Sequence, residues 1–249
     1  MHETTGTITT PDGEAGLFIA RPDGDGPFPV VIFFHHGPGF DEGSKDAVRM
    51  IAEQGYYVAA LDRYWREEPW LELDMAKAMA EGPNSDDMKR LFALVRGTTD
   101  EMVESDVTAL LEHLKKDPAA RRGRMGAIGY CIGARSVLRT MQNHPDTVVA
   151  GSALHPSLCT TEDPDSPHLG ISSFPGYLYV GFGSEDKMQS PEANKPLIAA
   201  ANGLGDRGKA EIHDGADHGF AVPRSRSYHE GAASRSYSET FAMFGKALA

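Results

Sequence analysis

The chain has 249 residues, 36 acidic against 24 basic side chains, and a formal net charge of −12. That surplus argues against nucleic acid and anionic membranes as partners, because both select basic surfaces. The length is sufficient to bury a large core in one α/β domain, and no repeat or linker divides it, so residues 1–249 are expected to form a single domain.

The polar stretch Met1 to Gly16 contains no apolar signal core. The strongest apolar run, Val30 to Phe34, is too short to cross a bilayer. Two cysteines, Cys131 and Cys159, do not make a disulfide framework. Together these features lead to the expectation of a cytoplasmic, thiol-reducing setting.

In chain order, Thr7 to Ile19 carries the turn Pro11-Asp12-Gly13 between two β-like stretches and predicts a hairpin. Phe28 to His35 is continuously apolar, as a strand buried on both faces requires. Asp46 to Gln54 is helical in pattern, and Tyr56 to Leu61 is a second buried strand, followed by Asp62-Arg63-Tyr64. Trp65 to Thr99, rich in charge and Met and broken by Pro69 and Gly82-Pro83, predicts a lid-like excursion of short helices. Glu101 to Lys116 is amphipathic, with Met102, Val103, Val107, Leu110, Leu111 and Leu114 on one face. Strands follow at Met125 to Ile128, Val148 to Leu154, Gly176 to Phe182 and Lys209 to His213. Helices are expected at Ile132 to Asn143 and Ser225 to Leu248. Alternating strands and helices give a doubly wound, mainly parallel sheet.

Gly129-Tyr130-Cys131-Ile132-Gly133 follows an apolar strand directly. A small-x-nucleophile-x-small sequence at that place is the nucleophile elbow of the α/β-hydrolase fold, with a thiol in place of the commoner hydroxyl. In that fold the acid and the His follow the nucleophile in order. Two strand ends supply them: Gly183-Ser184-Glu185-Asp186 and Asp214-Gly215-Ala216-Asp217-His218. A free thiol of pKa about 8.5 is mostly protonated at neutral pH, so it needs a base such as His218. The acid, Glu185 or Asp186, would fix the imidazole tautomer. Oxyanion donors are expected at the Ile132 N–H and, from the loop after the third strand, at the Gly37 N–H, since Pro38 has none to give.

These three segments, with Asp62-Arg63-Tyr64 and the closing helix containing Ala232-Ala233 and Phe241, resemble the dienelactone hydrolase family over nearly the whole chain. The resemblance implies hydrolysis of a small-molecule ester or lactone by Cys131, Asp186 and His218, with no metal or organic cofactor. It also implies a Glu beside the resting thiol, where this chain has His36. Two Arg for a substrate carboxylate are implied as well, near Arg90 and Arg224. His155, ending the sixth strand, is a further candidate to line the pocket.

The same triad would serve a thioesterase or acyltransferase, and the fold could also carry a non-catalytic ligand site. His35-His36 has no third ligand at a metal-binding spacing. Cys159 fits an inert core thiol, and Trp65 and Trp70 fit packing. The chain is expected to be a monomer or small homo-oligomer.

Overall fold

In the computed structural model, which describes residues 1–249, the chain opens with an antiparallel hairpin of β1 (His2–Thr10) and β2 (Gly13–Arg21). The remaining strands are β3 (Val30–Phe34), β4 (Tyr57–Leu61), β5 (Met125–Tyr130), β6 (Val148–Leu154), β7 (Tyr177–Gly183) and β8 (Gly208–His213). They form one eight-stranded sheet in the order β1-β2-β4-β3-β5-β6-β7-β8. β2 pairs antiparallel with β4, and every pair from β4 to β8 is parallel. The helices are α1 (Glu42–Glu53), α2 (Met75–Glu81), α3 (Asp86–Gly97), α4 (Asp100–Leu114), α5 (Ile132–Asn143), α6 (Lys195–Asn202) and α7 (Glu230–Ala247).

Alternation along the strands divides the core between the two faces of the sheet. Val30, Ile32 and Phe34 pack with Tyr57, Ala59, Leu61 and the apolar faces of α4, α5 and α6. Val31, Phe33, Val58, Ala60, Ile128 and Tyr130 turn the other way, onto α1 and α7. Burial on both faces explains why β3 and β4 are continuous apolar runs. It also fixes the strand ends, since a one-residue slip would exchange the two cores.

Three helices depart from the sequence expectation. α1 begins at Glu42, ahead of Asp46, because the Asp41 carboxylate caps it, accepting from the Ser44 N–H at 2.7 Å. α6 was not expected; Pro196 reads as a breaker in sequence, yet lies in the first turn of the helix, where a missing N–H costs nothing. α7 starts at Glu230, after a run of turns from Ser225. On α4, Met102 is exposed while Val103, Val107, Leu110, Leu111 and Leu114 are buried.

Residues 65–99 form α2 and α3 and carry a small core of their own, in which Leu71, Leu73 and Leu94 pack with Tyr64. This excursion braces the loop after β3. The Tyr64 hydroxyl donates to the Gly37 carbonyl at 3.0 Å, and the Leu73 N–H to the Pro38 carbonyl at 2.8 Å. Both tryptophans pack: Trp65 donates to Asp106 at 3.0 Å, and Trp70 lies against Phe40. No helix is long and apolar enough to cross a membrane.

Candidate active site

The turn between β5 and α5 is tight and strained. Cys131 sits at φ 55°, ψ −117°, a region that non-glycine residues rarely occupy. Its two flanking glycines have separate steric reasons. A Cβ on Gly129 would collide with the Gly133 carbonyl, and one on Gly133 would collide with the carbonyls of Phe34 and His35. The strained turn is held from the neighbouring strand: the Cys131 N–H donates to Leu154 O at 3.0 Å, and the Ser157 N–H donates to Cys131 O at 3.0 Å. The sulfur is thereby raised at the N-terminus of α5, whose partial positive charge favours a thiolate.

The acid and histidine turns meet beside it. Gly183 lets them approach, since a Cβ there would strike the Ala216 carbonyl. Asp186 is buried; its Oδ1 accepts the N–H groups of Met188 and Gln189 at 3.0 and 2.8 Å. Its Oδ2 accepts from His218 Nδ1 at 2.7 Å. Burial would raise the Asp186 carboxyl, but His218 and the two amides hold it below the usual carboxylate range. Glu185 is exposed, so of the two adjacent acids Asp186 is the one that meets His218.

With Nδ1 committed to Asp186, His218 Nε2 is buried and has no hydrogen bond of good geometry to nitrogen, oxygen or sulfur. The thiol and the imidazole nevertheless act strongly on each other. Burial pushes the Cys131 thiol up, but the charge and proximity of His218, the Ser157 hydroxyl and, through space, His36 outweigh it and bring it to about 6. Burial lowers His218, while the nearby Cys131 thiolate and the bond to Asp186 raise it to about 10. At neutral pH the favoured pair is thiolate and imidazolium.

Ser157 escaped the sequence reading. Its hydroxyl lies 3.2 Å from Cys131 Sγ, the contact expected of a residue after β3. His36 is turned aside instead: its Nε2–H donates to Asp41 at 3.0 Å, and it touches the sulfur only electrostatically. No spacing rule marks Ser157; its role follows from β6 lying next to β5. His35 is structural, donating from Nδ1 to His36 O at 2.7 Å and accepting the Arg63 N–H at Nε2, 3.1 Å away.

The N–H groups of the two expected oxyanion donors are both unpaired within the protein. Ile132 opens α5, where the first N–H groups have no helical partner. Gly37 N–H donates to no group in the protein, while its carbonyl is fixed by Tyr64. His155 lies beside the catalytic candidates: its ring meets His218 edge to face at 5.0 Å, and both of its nitrogens are buried without partners. The two arginine candidates for a substrate carboxylate are both ion-paired at the surface. Arg90 is exposed and pairs with Glu68 at 2.6 Å; Arg224 is exposed and pairs with Asp46 at 2.6 Å. Cys159 is wholly buried and its thiol is pushed up by burial, as an inert core thiol should be.

The sequence pattern of the dienelactone hydrolase family matches residues 16–248. The chain belongs to that family. As a dienelactone hydrolase family member it is similar to a Synechocystis protein named "Putative carboxymethylenebutenolidase", 25% identical over 98% of this chain and 96% of that one. A Salmonella typhi protein of the same name is 28% identical over 96% of this chain and 91% of its own. In fold, the chain resembles a Klebsiella pneumoniae crystal structure described as "Putative Dienelactone Hydrolase". That comparison gives a TM-score of 0.81 at 22% identity and covers 99% of this chain and 100% of the other. The chain is thus a hydrolase with the single-domain α/β architecture of this family.

Proposed function

We propose that the protein hydrolyses a small-molecule ester or lactone through a Cys131 acyl-enzyme. The observation that carries this reading is the thiol on the strained turn, facing an imidazole whose other nitrogen is held by a buried carboxylate. The Cys131 thiolate adds to the substrate carbonyl. The carbonyl oxygen takes the negative charge and is met by the N–H groups of Ile132 and Gly37, each supplying about 3 kcal/mol in comparable sites. His218 then gives its proton to the departing alkoxide as the carbon–oxygen bond breaks, leaving a thioester. Water adds to the thioester as His218 takes its proton, the carbon–sulfur bond breaks, and the acid leaves with the thiolate restored. For a lactone, alkoxide and acid are one hydroxy acid. Asp186 keeps the proton of His218 Nδ1 in place throughout.

The test is hydrolysis of p-nitrophenyl acetate and of simple lactones by the wild type, Cys131→Ala and His218→Ala. Both variants are expected to lose at least about 1000-fold in kcat/KM. Turnover of Cys131→Ala at the wild-type rate would overturn the reading.

A further inference from the structure

We infer that Arg135 is a positioning residue for the nucleophile: together with Asp100 it fixes the Leu158 carbonyl and thereby holds the Ser157 hydroxyl against the Cys131 sulfur. The inference rests on the proposed use of Cys131 and concerns how its sulfur is held. Ser157 follows the end of β6, and Arg135 lies in the first turn of α5, the helix that Cys131 opens. Ser157 meets Cys131 twice, through its N–H and through its hydroxyl. The residues around it are strained. Leu158 stands at φ 55°, and His155, two residues before Ser157, at φ 38°. Left-handed backbone at non-glycine residues persists only where the surroundings over-determine it. His155 is fixed by its buried ring and by its N–H, which donates to the Gly181 carbonyl at 2.8 Å. The Leu158 side chain is exposed, so packing does not fix it; its carbonyl accepts from Arg135 Nη1.

An arginine suits this place because its planar fork offers donors along two edges. One edge, Nε and Nη2, meets both oxygens of Asp100 at the start of α4, at 2.9 and 2.8 Å. That grip aims the remaining Nη1 at the Leu158 carbonyl. Asp100 is steadied in turn by Arg139, whose Nε donates to it at 2.7 Å while its Nη2 donates to Asp165 at 3.2 Å. The acids facing Arg135 are thus Asp100 from α4 and, at longer range, Asp165 from the loop after β6. The contacts run from Asp100 through Arg135 and Leu158 to Ser157 and the sulfur. The cationic groups that act on the sulfur directly, His218 and His36, and Arg63 at electrostatic range, lie outside this path.

The experiment follows alkylation of Cys131 by iodoacetamide against pH, read by mass spectrometry. It uses the wild type, Arg135→Met, Asp100→Asn, Ser157→Ala and the double variant Arg135→Met/Ser157→Ala, each shown to be folded by its melting curve. Arg135→Met and Asp100→Asn are each expected to raise the midpoint by about half to one pH unit, because a loosened Ser157 hydroxyl supports the thiolate less. Asp100→Asn separates aim from charge, since losing a nearby carboxylate would by itself lower the midpoint. In the Ser157→Ala background, Arg135→Met should add no more than about 0.2 pH unit. An unmoved midpoint in Arg135→Met, an unmoved or lowered one in Asp100→Asn, or a full Arg135→Met shift without the Ser157 hydroxyl would overturn the inference. These midpoints are read without substrate, so they stand apart from hydrolysis, which Cys131→Ala tests separately.

Discussion

The hydroxyl of Ser157 lies 3.2 Å from the sulfur of Cys131, and the Ser157 N–H donates to the Cys131 carbonyl at 3.0 Å. One residue at the end of β6 therefore holds both the backbone and the reactive atom of the turn after β5. The hydroxyl donates to the thiolate, so removing it disfavours the charged form. A hydrogen bond to a charged group contributes about 1.5 to 3 kcal/mol. Ser157→Ala is thus expected to move the Cys131 ionisation upward from about 6 by about one to two pH units. The midpoint of iodoacetamide alkylation against pH measures it, and an unmoved midpoint would show that the hydroxyl does not hold the thiolate.

The reactive form carries a thiolate and an imidazolium, which sets the pH profile of kcat/KM. Acid removes the thiolate as pH falls through about 6, and base removes the imidazolium proton as pH rises through about 10. Both values belong to the coupled pair. The expected profile is a bell with a broad plateau across neutral pH. A rising limb centred near 8.5, the ordinary thiol value, would mean that Cys131 is not activated in the free protein.

Asp186 and Glu185 are adjacent in sequence and opposite in environment. Asp186 is buried and accepts from two amides and from His218, while Glu185 faces water. Asp186→Asn keeps the shape but offers an amide that favours the wrong imidazole tautomer. It is expected to lower kcat by a factor on the order of 1000 to 10000. Glu185→Gln should leave kcat near wild type. Equal losses in the two variants would refute the assignment.

Much of this was legible in the chain because the elbow is over-determined. Gly129, Cys131 and Gly133 are fixed by backbone collisions local to one turn, so their spacing carries the geometry. The strand ends that bear Asp186 and His218 were legible for the same reason, as apolar runs closed by Gly-bearing turns. Ser157 and the Asp41–His36 pair were not, because each depends on which strands and loops become neighbours. The partners of the two arginines were hidden for another reason. A long charged side chain finds its partner in three dimensions, and Glu68 and Asp46 claim Arg90 and Arg224.

Stability should fall with acid, and the sign comes from histidines buried in the neutral form. Burial lowers His35 to about 3 and places His155 well below its usual value; His213, buried and bonded to Ser236 and Tyr179, is also lowered. An unfolded chain binds these protons near pH 6.5, while the folded chain refuses them. Their contribution is therefore complete above about pH 6.5 and is lost as pH falls below it, for His35 toward about 3, at up to about 1.4 kcal/mol per pH unit for each histidine. Between about pH 6.5 and 9 the Cys131–His218 pair adds little slope, because the proton that the thiol gives up is held by the imidazole. The melting temperature is expected to drop steadily from pH 6.5 to 5.0. His155→Phe removes one titrating ring with two unpartnered nitrogens and should show a shallower drop. Circular dichroism melts at pH 7.5, 6.5, 5.8 and 5.0 measure both, and a wild-type melting temperature that holds or rises toward pH 5.0 would contradict the burial of these rings as neutral groups.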